Sequence, residues 1–346
     1  MNPYANMIIT LSLILGPIIT ISSNHWIMAW TGLEMNMFAI IPMIAKKHHP
    51  RATEAAIKYF LTQTAASSLL LFSIINNTWD LGQLSMTQTS NTMSSMLMTI
   101  ALATKLGLAP FHLWLPETLQ GTTTTMALIL TTWQKLAPFS ILIMTYQLIN
   151  PPLLMTMSLL SICTGGWGGL NQTQLRKIMA FSSIAHLGWL TMVLTMSTKL
   201  ALLTLYTYII MTATTFIIIN QLQTNNMSSM MTTWTKLPLM NSMMMLNLMS
   251  LAGMPPLTGF MPKWLILQEI TTNHMPILAT TASIFSLLSL FFYLRISYYS
   301  TITLPPNTTN YSQQWRHKMN KKPYLAYLTV ISTMITPITP TLTELM

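Results

Sequence analysis

The stretch SLAGMPPLTGFMPKW, residues 250–264, decides the fold. It lies in a long apolar run, yet it carries three prolines, two glycines and a lysine. Proline removes a backbone N–H and clashes with the preceding helical turn. In a bilayer, the polar groups freed in this way must be satisfied inside the protein or by water. A helix broken at membrane depth therefore lines a cavity, and its half-helix ends offer dipoles to ions.

The surrounding chain supports that setting. It is 51% hydrophobic and only 6% charged, against about 25% charged in an ordinary soluble domain. Its mean hydropathy is +0.50. These values point to an all-α polytopic membrane protein. A span takes about 20 mostly apolar residues. On that rule eleven transmembrane helices are expected, at 3–22, 25–45, 55–78, 93–115, 122–148, 150–170, 178–196, 200–222, 238–270 (interrupted), 275–297 and 323–343. The polar stretches 79–92, 224–237 and 298–322 read as surface loops. Residues 1–346 form one membrane domain on this reading. No basic or Arg-rich leader precedes the first apolar run, so the chain is expected to enter its membrane directly. The one cysteine, Cys163, cannot build a disulfide framework, a cysteine zinc site or an iron–sulfur ligand set within the chain.

The net charge of +10 raises nucleic acid as a partner, and topology disposes of it. When the eleven spans alternate, the N-terminal side receives Lys46, Lys47, Arg51, Lys58, Arg176, Lys177, Lys236, Arg295, Arg316, Lys318, Lys321 and Lys322. The other side receives only Lys199. This is a positive-inside bias, with the N-terminal side facing the compartment of synthesis. Trp26, Trp79, Trp114 and Trp264 fall near span ends or breaks, as interfacial anchors do, while Trp133 lies deeper.

Three lysines remain inside spans: Lys105, Lys135 and Lys263, joined by one acid, Glu34. An ionisable group at the bilayer centre costs roughly 2.5–3.5 kcal/mol on insertion scales. One carboxylate can lock one lysine as a packing pair, but it cannot neutralise three. Burial disfavours an ammonium and a nearby carboxylate favours it, so lysines held between the two effects can exchange protons. His186 in mid-span and His112 beyond Pro110 can pass protons or can serve as neutral, hydrogen-bonded core histidines. His48 and His49, in KKHHPR, read as solvated, because no acid or cysteine completes a metal site there.

A second break, Gly107-Leu108-Ala109-Pro110, follows Lys105. The two interrupted spans are the fourth and the ninth. Two five-helix units, 3–148 and 150–297, each have the broken helix fourth, with 323–343 as an added C-terminal helix. An odd number of spans inverts the second unit relative to the first, which is the inverted-repeat plan of transporters.

At these residues the chain resembles the subunit 2 family of the mitochondrially encoded, proton-pumping NADH:ubiquinone oxidoreductase, respiratory complex I, in its vertebrate form. The likeness runs from MNPYANMIITLS through SSNHWIMAWTGLEMN, KLGLAPFHLWLPE and GLNQTQLRKIMAFSSIAHLGW to the opening stretch. The resemblance implies an antiporter-like fold in the mitochondrial inner membrane, beside other antiporter-like membrane-arm subunits. The N-terminus would face the matrix and the C-terminus the intermembrane space. It implies that Glu34 in TGLEMN and Lys105 are a working pair, that Lys135 in TWQKLAPF is the central lysine, that His186 lies on the central axis, and that Lys263 leads towards the next subunit. Longer members have fourteen spans, and the chain is expected to match the shortened animal form without the first three. No NADH or flavin site is readable, since GGWGGLNQ, 165–172, ends an apolar span instead of joining a strand to a helix. No cofactor is expected in the chain; FMN, iron–sulfur clusters and quinone would belong to other subunits.

The expected mechanism is a switchable Glu34–Lys105 pair that alters the proton affinity of Lys135. Protons would then hop along Lys105, Lys135, His186 and Lys263. The alternatives are a cation/proton antiporter subunit and a structural membrane-arm subunit without proton transfer.

Overall fold

The computed structural model describes residues 3–45, 49–86, 92–302 and 323–341. Lys46, Lys47, His48, Arg316, Lys318, Lys321, Lys322 and Glu344 lie outside the described residues, so much of the charge count rests on sequence alone. The described residues are helical and hold no strand, only two isolated bridges. They divide into two compact units, residues 1–161 and 162–346.

The first unit holds α1 (Pro3–Ser22), α2 (Trp26–Ile44), α3 (Pro50–Leu81), α4 (Thr92–Leu106), α5 (Trp114–Gly121), α6 (Thr124–Thr131) and α7 (Trp133–Met144). Helix α8 (Pro151–Gly169) runs across the division. The second unit continues with α9 (Leu175–Leu194), α10 (Thr198–Leu222), α11 (Met227–Met231), α12 (Thr233–Lys236), α13 (Pro238–Ala252), α14 (Phe260–Thr272), α15 (Pro276–Thr301) and α16 (Pro323–Met334). Prolines open α3, α13 and α15, where the missing N–H is one the helix start leaves unpaired anyway.

Six of the described helical stretches are long and apolar enough to cross a membrane: Pro3–Ser22, Trp26–Ile44, Thr124–Met144, Leu175–Leu194, Thr198–Leu222 and Pro276–Thr301. Several expectations change in detail. The polar stretch 224–237 contains α11 and α12, and helix reaches Leu81 and Thr301 inside the other two expected loops. Expected span 323–343 is no single helix, because α16 stops at Met334 and a short 3-10 turn follows at Thr336–Ile338. Pro337 supplies no N–H to continue an α-helix there. Expected span 122–148 is interrupted at Thr132, between α6 and α7. The Thr132 hydroxyl donates to the Leu128 carbonyl at 2.7 Å and that of Thr131 to Ala127 at 2.9 Å. Such back-bonding by threonine bends helices.

Both breaks read from the sequence are present, with the same construction. Helix α4 ends at Gly107, φ 82°, where the N–H groups of Gly107 and Leu108 both donate to Ala103. Helix α13 ends at Gly253, φ 83°, with Gly253 donating to Ser250 and Met254 to Met249. Glycine takes this left-handed cap without a Cβ penalty. Each glycine is followed three residues later by a proline after a cis peptide, Pro110 and Pro256, and helix resumes at Trp114 and Phe260.

Small residues set the closest helix approaches. A Cβ on Gly16 would stand 2.9 Å from the Asn36 Cβ, so α1 and α2 touch nearly backbone to backbone. Gly16→Leu is expected to force them apart and to destabilise the subunit by about 1–3 kcal/mol, the usual scale of overpacking. A thermal melt of the assembled complex, followed by loss of this chain, checks it. The glycine run near the end of α8 has a packing role too. Gly165 and Gly168 face α9 at Phe181, and Gly166 and Gly169 face α15 at Leu288 and Phe292. All four lie inside one helix, which is no strand–turn–helix fingerprint.

Candidate functional site

In the first unit, Glu34 comes from the middle of α2, Lys105 from the last turn of α4 and Lys135 from the first turn of α7. They are 9%, 7% and 3% exposed. The breaks explain these positions. Lys105 stands two residues before the Gly107 cap, and Lys135 three residues after the Thr132 interruption. Two cavities of about 10 Å³ each meet at Lys105, at the lower limit for holding one water. One joins Lys105 to Lys135 past Tyr59, Gln63 and Gln134. The other joins Lys105 to Leu33, Asn36 and Met37 on the helix of Glu34.

A neutral polar frame surrounds these cavities. Gln134 donates to the Asn36 side chain at 2.9 Å, and the Tyr59 hydroxyl donates to Gln134 at 3.4 Å. Trp114 packs edge-on against Tyr59 with ring centres 5.7 Å apart, and its indole N–H donates to the Thr104 carbonyl at 3.1 Å. Trp114 is thus part of the cavity wall instead of an interfacial anchor. Trp26 also departs from the anchor role, being fully buried, whereas Trp79 and Trp264 are exposed as anchors are.

Glu34 and Lys105 form no ion pair here, and Glu34 Oε1 is buried without a hydrogen-bond partner. Lys58 forms ion pairs with Glu54, 2.5 Å, and with Glu117, 2.8 Å. His112 lies in the turn between α4 and α5 and lines neither Lys105 cavity; its Nδ1 is buried with no partner of ordinary hydrogen-bond geometry. His49 is exposed and caps α3, accepting from the Arg51 N–H at 3.2 Å.

In the second unit, His186 and Lys263 line one cavity of about 20 Å³, room for a water. Thr204, Thr207, Tyr208 and Gly259 share its wall. The half-buried Lys263 donates from Nζ to the Ala252 carbonyl at 2.8 Å. That carbonyl ends α13, where a helix concentrates partial negative charge. The break therefore presents a cation with a helix C-terminus beside water-sized space. The His186 ring lies 5.7 Å from that of Tyr208.

Sequence reading singled out the charged residues and missed the neutral ones. Tyr59 and Gln63 sit four apart on α3, so they share a face, and that spacing was the available signal. Among the described residues, no three His, Cys, Asp or Glu side chains cluster as metal ligands do.

Comparison with known proteins places this architecture. Residues 23–289 match the family described as NADH:quinone oxidoreductase/Mrp antiporter, TM, and residues 290–343 match NADH dehydrogenase subunit 2 C-terminus. NADH-ubiquinone oxidoreductase chain 2 of Pelomedusa subrufa is 59% identical over 99% of both chains. That of Struthio camelus is 57% identical over 98% of both. Among solved structures, a chain of respiratory complex I from Thermus thermophilus superposes with TM-score 0.84 at 23% identity, covering 96% of this chain and 77% of that one. A chain of the Mrp complex from Dietzia sp. DQ12-45-1b gives 0.83 at 16%, covering 97% and 76%. A multi-pass membrane protein with two broken helices, matched end to end by such relatives, belongs to the NADH-ubiquinone oxidoreductase chain 2 family.

Proposed function

We propose that this chain is a membrane-arm subunit of the proton-pumping NADH:ubiquinone oxidoreductase and carries protons through its buried lysines. It contributes to a translocase without a redox centre of its own. FMN, iron–sulfur clusters and quinone belong to other subunits, and quinone reduction there supplies the energy. The observation that carries the reading is the meeting of lysines with water-sized cavities at interrupted helices, the buried Lys105 and Lys135 in one unit and the half-buried Lys263 with His186 in the other. Hydrocarbon packing has no use for such an arrangement.

In the first unit, Glu34 is the switching partner. Its carboxylate is buried and lacks a hydrogen-bond partner on one oxygen. Closing on Lys105 and opening again would change the electrostatic field at Lys135, because opposite and like charges act on proton affinity in opposite directions. Glu34→Gln keeps the volume and removes the charge. Its expected effect is about a tenfold fall in NADH oxidation coupled to quinone reduction, equivalent to about 1.4 kcal/mol. Oxidation by a soluble electron acceptor should stay normal. Sealed vesicles and a pH-sensitive dye measure both, and an unchanged coupled rate with an unchanged proton ratio would remove Glu34 from the mechanism.

Matched features support the plan of eleven spans with two inverted five-helix repeats, 3–148 and 150–297, each with its fourth helix broken. Gly165 stands 149 residues after Gly16, and a Cβ on either would meet the corresponding partners, Gly32 and Asn36 or Phe181 and Ala185. The bridges His25–Ser85 and Gln174–Asn226 fall at matching loops. Helices α3 and α10 both end in a left-handed residue three positions before the bridge, Gly82 and Gln223. The family points to the mitochondrial inner membrane, and the charge bias read in the sequence then puts the N-terminus towards the matrix and the C-terminus towards the intermembrane space. Neighbouring antiporter-like membrane-arm subunits and lipid are the partners. The family's Mrp branch favours one other reading, cation/proton antiport, which predicts that transport depends on added sodium.

A further inference from the structure

We infer that the Tyr208 hydroxyl, with Ser183, Ser182 and Tyr293, forms a relay that supplies protons to the His186–Lys263 cavity from the end of the unit where α9 begins. The inference rests on the proton-carrying role proposed above. Tyr208 lines that cavity and lies against His186. Its hydroxyl adjoins the Ser183 and Thr212 hydroxyls, and Tyr293 is near enough to interact with it electrostatically. Ser182 adjoins the Tyr293 hydroxyl, which is buried with no partner of ordinary hydrogen-bond geometry. Tyr208, Tyr293, Ser182 and Ser183 are all buried. Three helices, α9, α10 and α15, thus place a row of hydroxyls in the buried interior.

The row has a direction. Ser183 precedes His186 by three residues on α9, which displaces it about 4.5 Å towards the helix start. Two residues beyond Tyr293, Arg295 reaches the carbonyls of Leu170 and Gln172, the latter at 2.7 Å. These carbonyls belong to the turn that leads into α9. The hydroxyls therefore run from the cavity towards the end of the unit where Arg295 fastens that turn. Buried serines usually spend their proton on a backbone carbonyl, and Ser182 and Ser183 do so with Met179 and Ala180, at 2.7 and 2.8 Å. Their lone pairs remain able to accept.

The transfer needs no charged tyrosine. Each serine hydroxyl first turns from its backbone carbonyl into the row; each hydroxyl then gives its own proton forward as it accepts another from behind, so the O–H bond broken on one side is replaced on the other. The hydroxyls then rotate back before the next proton. The titratable groups facing Tyr208 are His186 on α9, Lys263 on α14 and Tyr293 on α15. Helix α13 has none, and the tyrosines of α16, Tyr324 and Tyr327, are exposed.

Tyr208→Phe and Tyr293→Phe test the relay in the assembled complex, since each removes one oxygen and keeps the ring that fills the core. The readout is the coupled rate in sealed vesicles as the pH on the proton-supplying side is varied. A supply relay limits most where protons are scarce, so each variant is expected to lose at least threefold at alkaline pH and less than twofold at acid pH. A loss that is uniform across pH, or no loss, overturns the relay. Lys263→Met, run alongside, separates the two levels. If it pumps normally, the proton-carrying reading itself fails. If it stops pumping while both tyrosine variants match the native profile, only the hydroxyl route fails.

Discussion

Lys135→Met is expected to leave the complex assembled and at least as heat-stable as the native form, while the protons moved per NADH oxidised fall and the coupled rate drops about tenfold or more. The two halves of that expectation come from opposite properties of one side chain. Lys135 is 3% exposed, in the first turn of α7. Holding an ammonium at such depth costs roughly 2.5–3.5 kcal/mol on insertion scales. Methionine has nearly the same length, no charge and a flexible thioether that fills irregular space. On packing grounds the substitution therefore favours the fold. A lysine kept as a packing lock predicts the reverse, because breaking a buried pair strands its partner and costs 3–5 kcal/mol. Thermal stability and proton ratio, measured on one preparation, separate the two. A destabilised complex that still pumps at the native ratio would make Lys135 structural.

The same contrast explains what was legible in the sequence. Buried lysines and Pro–Gly clusters stand out because an apolar span makes every charge and every missing N–H costly. Glu34, Lys105, Lys135 and Lys263 were therefore visible as a group, and both breaks were located by residue. The interruption at Thr132 was not, because threonine is ordinary in these spans and bends a helix only through how its hydroxyl bonds. Asn36, Tyr59, Gln63 and Gln134 were missed for a related reason. Neutral polar residues cost little when they find partners, and most simply join neighbouring helices. Their place beside Lys105 depends on how α2, α3 and α7 pack, which no local pattern encodes. Trp26 was misread because proximity to a span end does not tell whether a ring faces lipid or a neighbouring helix. The pairing of Lys263 with the end of α13 was half legible, since its nearness to the break was plain and its carbonyl partner was not.

Gly259→Ala is expected to uncouple the complex although it replaces no titratable group. Gly259 has an ordinary φ of −69°, so alanine suits its backbone conformation, and the obstacle is space. A Cβ there would collide with the Ser250 carbonyl in the last turn of α13. Backbone cannot rotate aside as a side chain does, so the start of α14 has to move. Lys263 lies one turn further along that helix and moves with it, and its 2.8 Å hydrogen bond to Ala252 does not survive a displacement of about 1 Å. Thr258, next in the chain, donates to the Ser332 carbonyl of α16, so the C-terminal helix is disturbed as well. The expected result is about 1–3 kcal/mol of destabilisation with at least a tenfold fall in coupled rate. Gly82→Asn is the control. A Cβ on Gly82 meets nothing within 4 Å, and its left-handed φ of 67° is one that asparagine accepts, so that variant should melt and pump almost as the native complex does. If Gly259→Ala does so too, the two half-helices are not held in fixed register, and the position of Lys263 against the end of α13 cannot be what its proton transfer depends on.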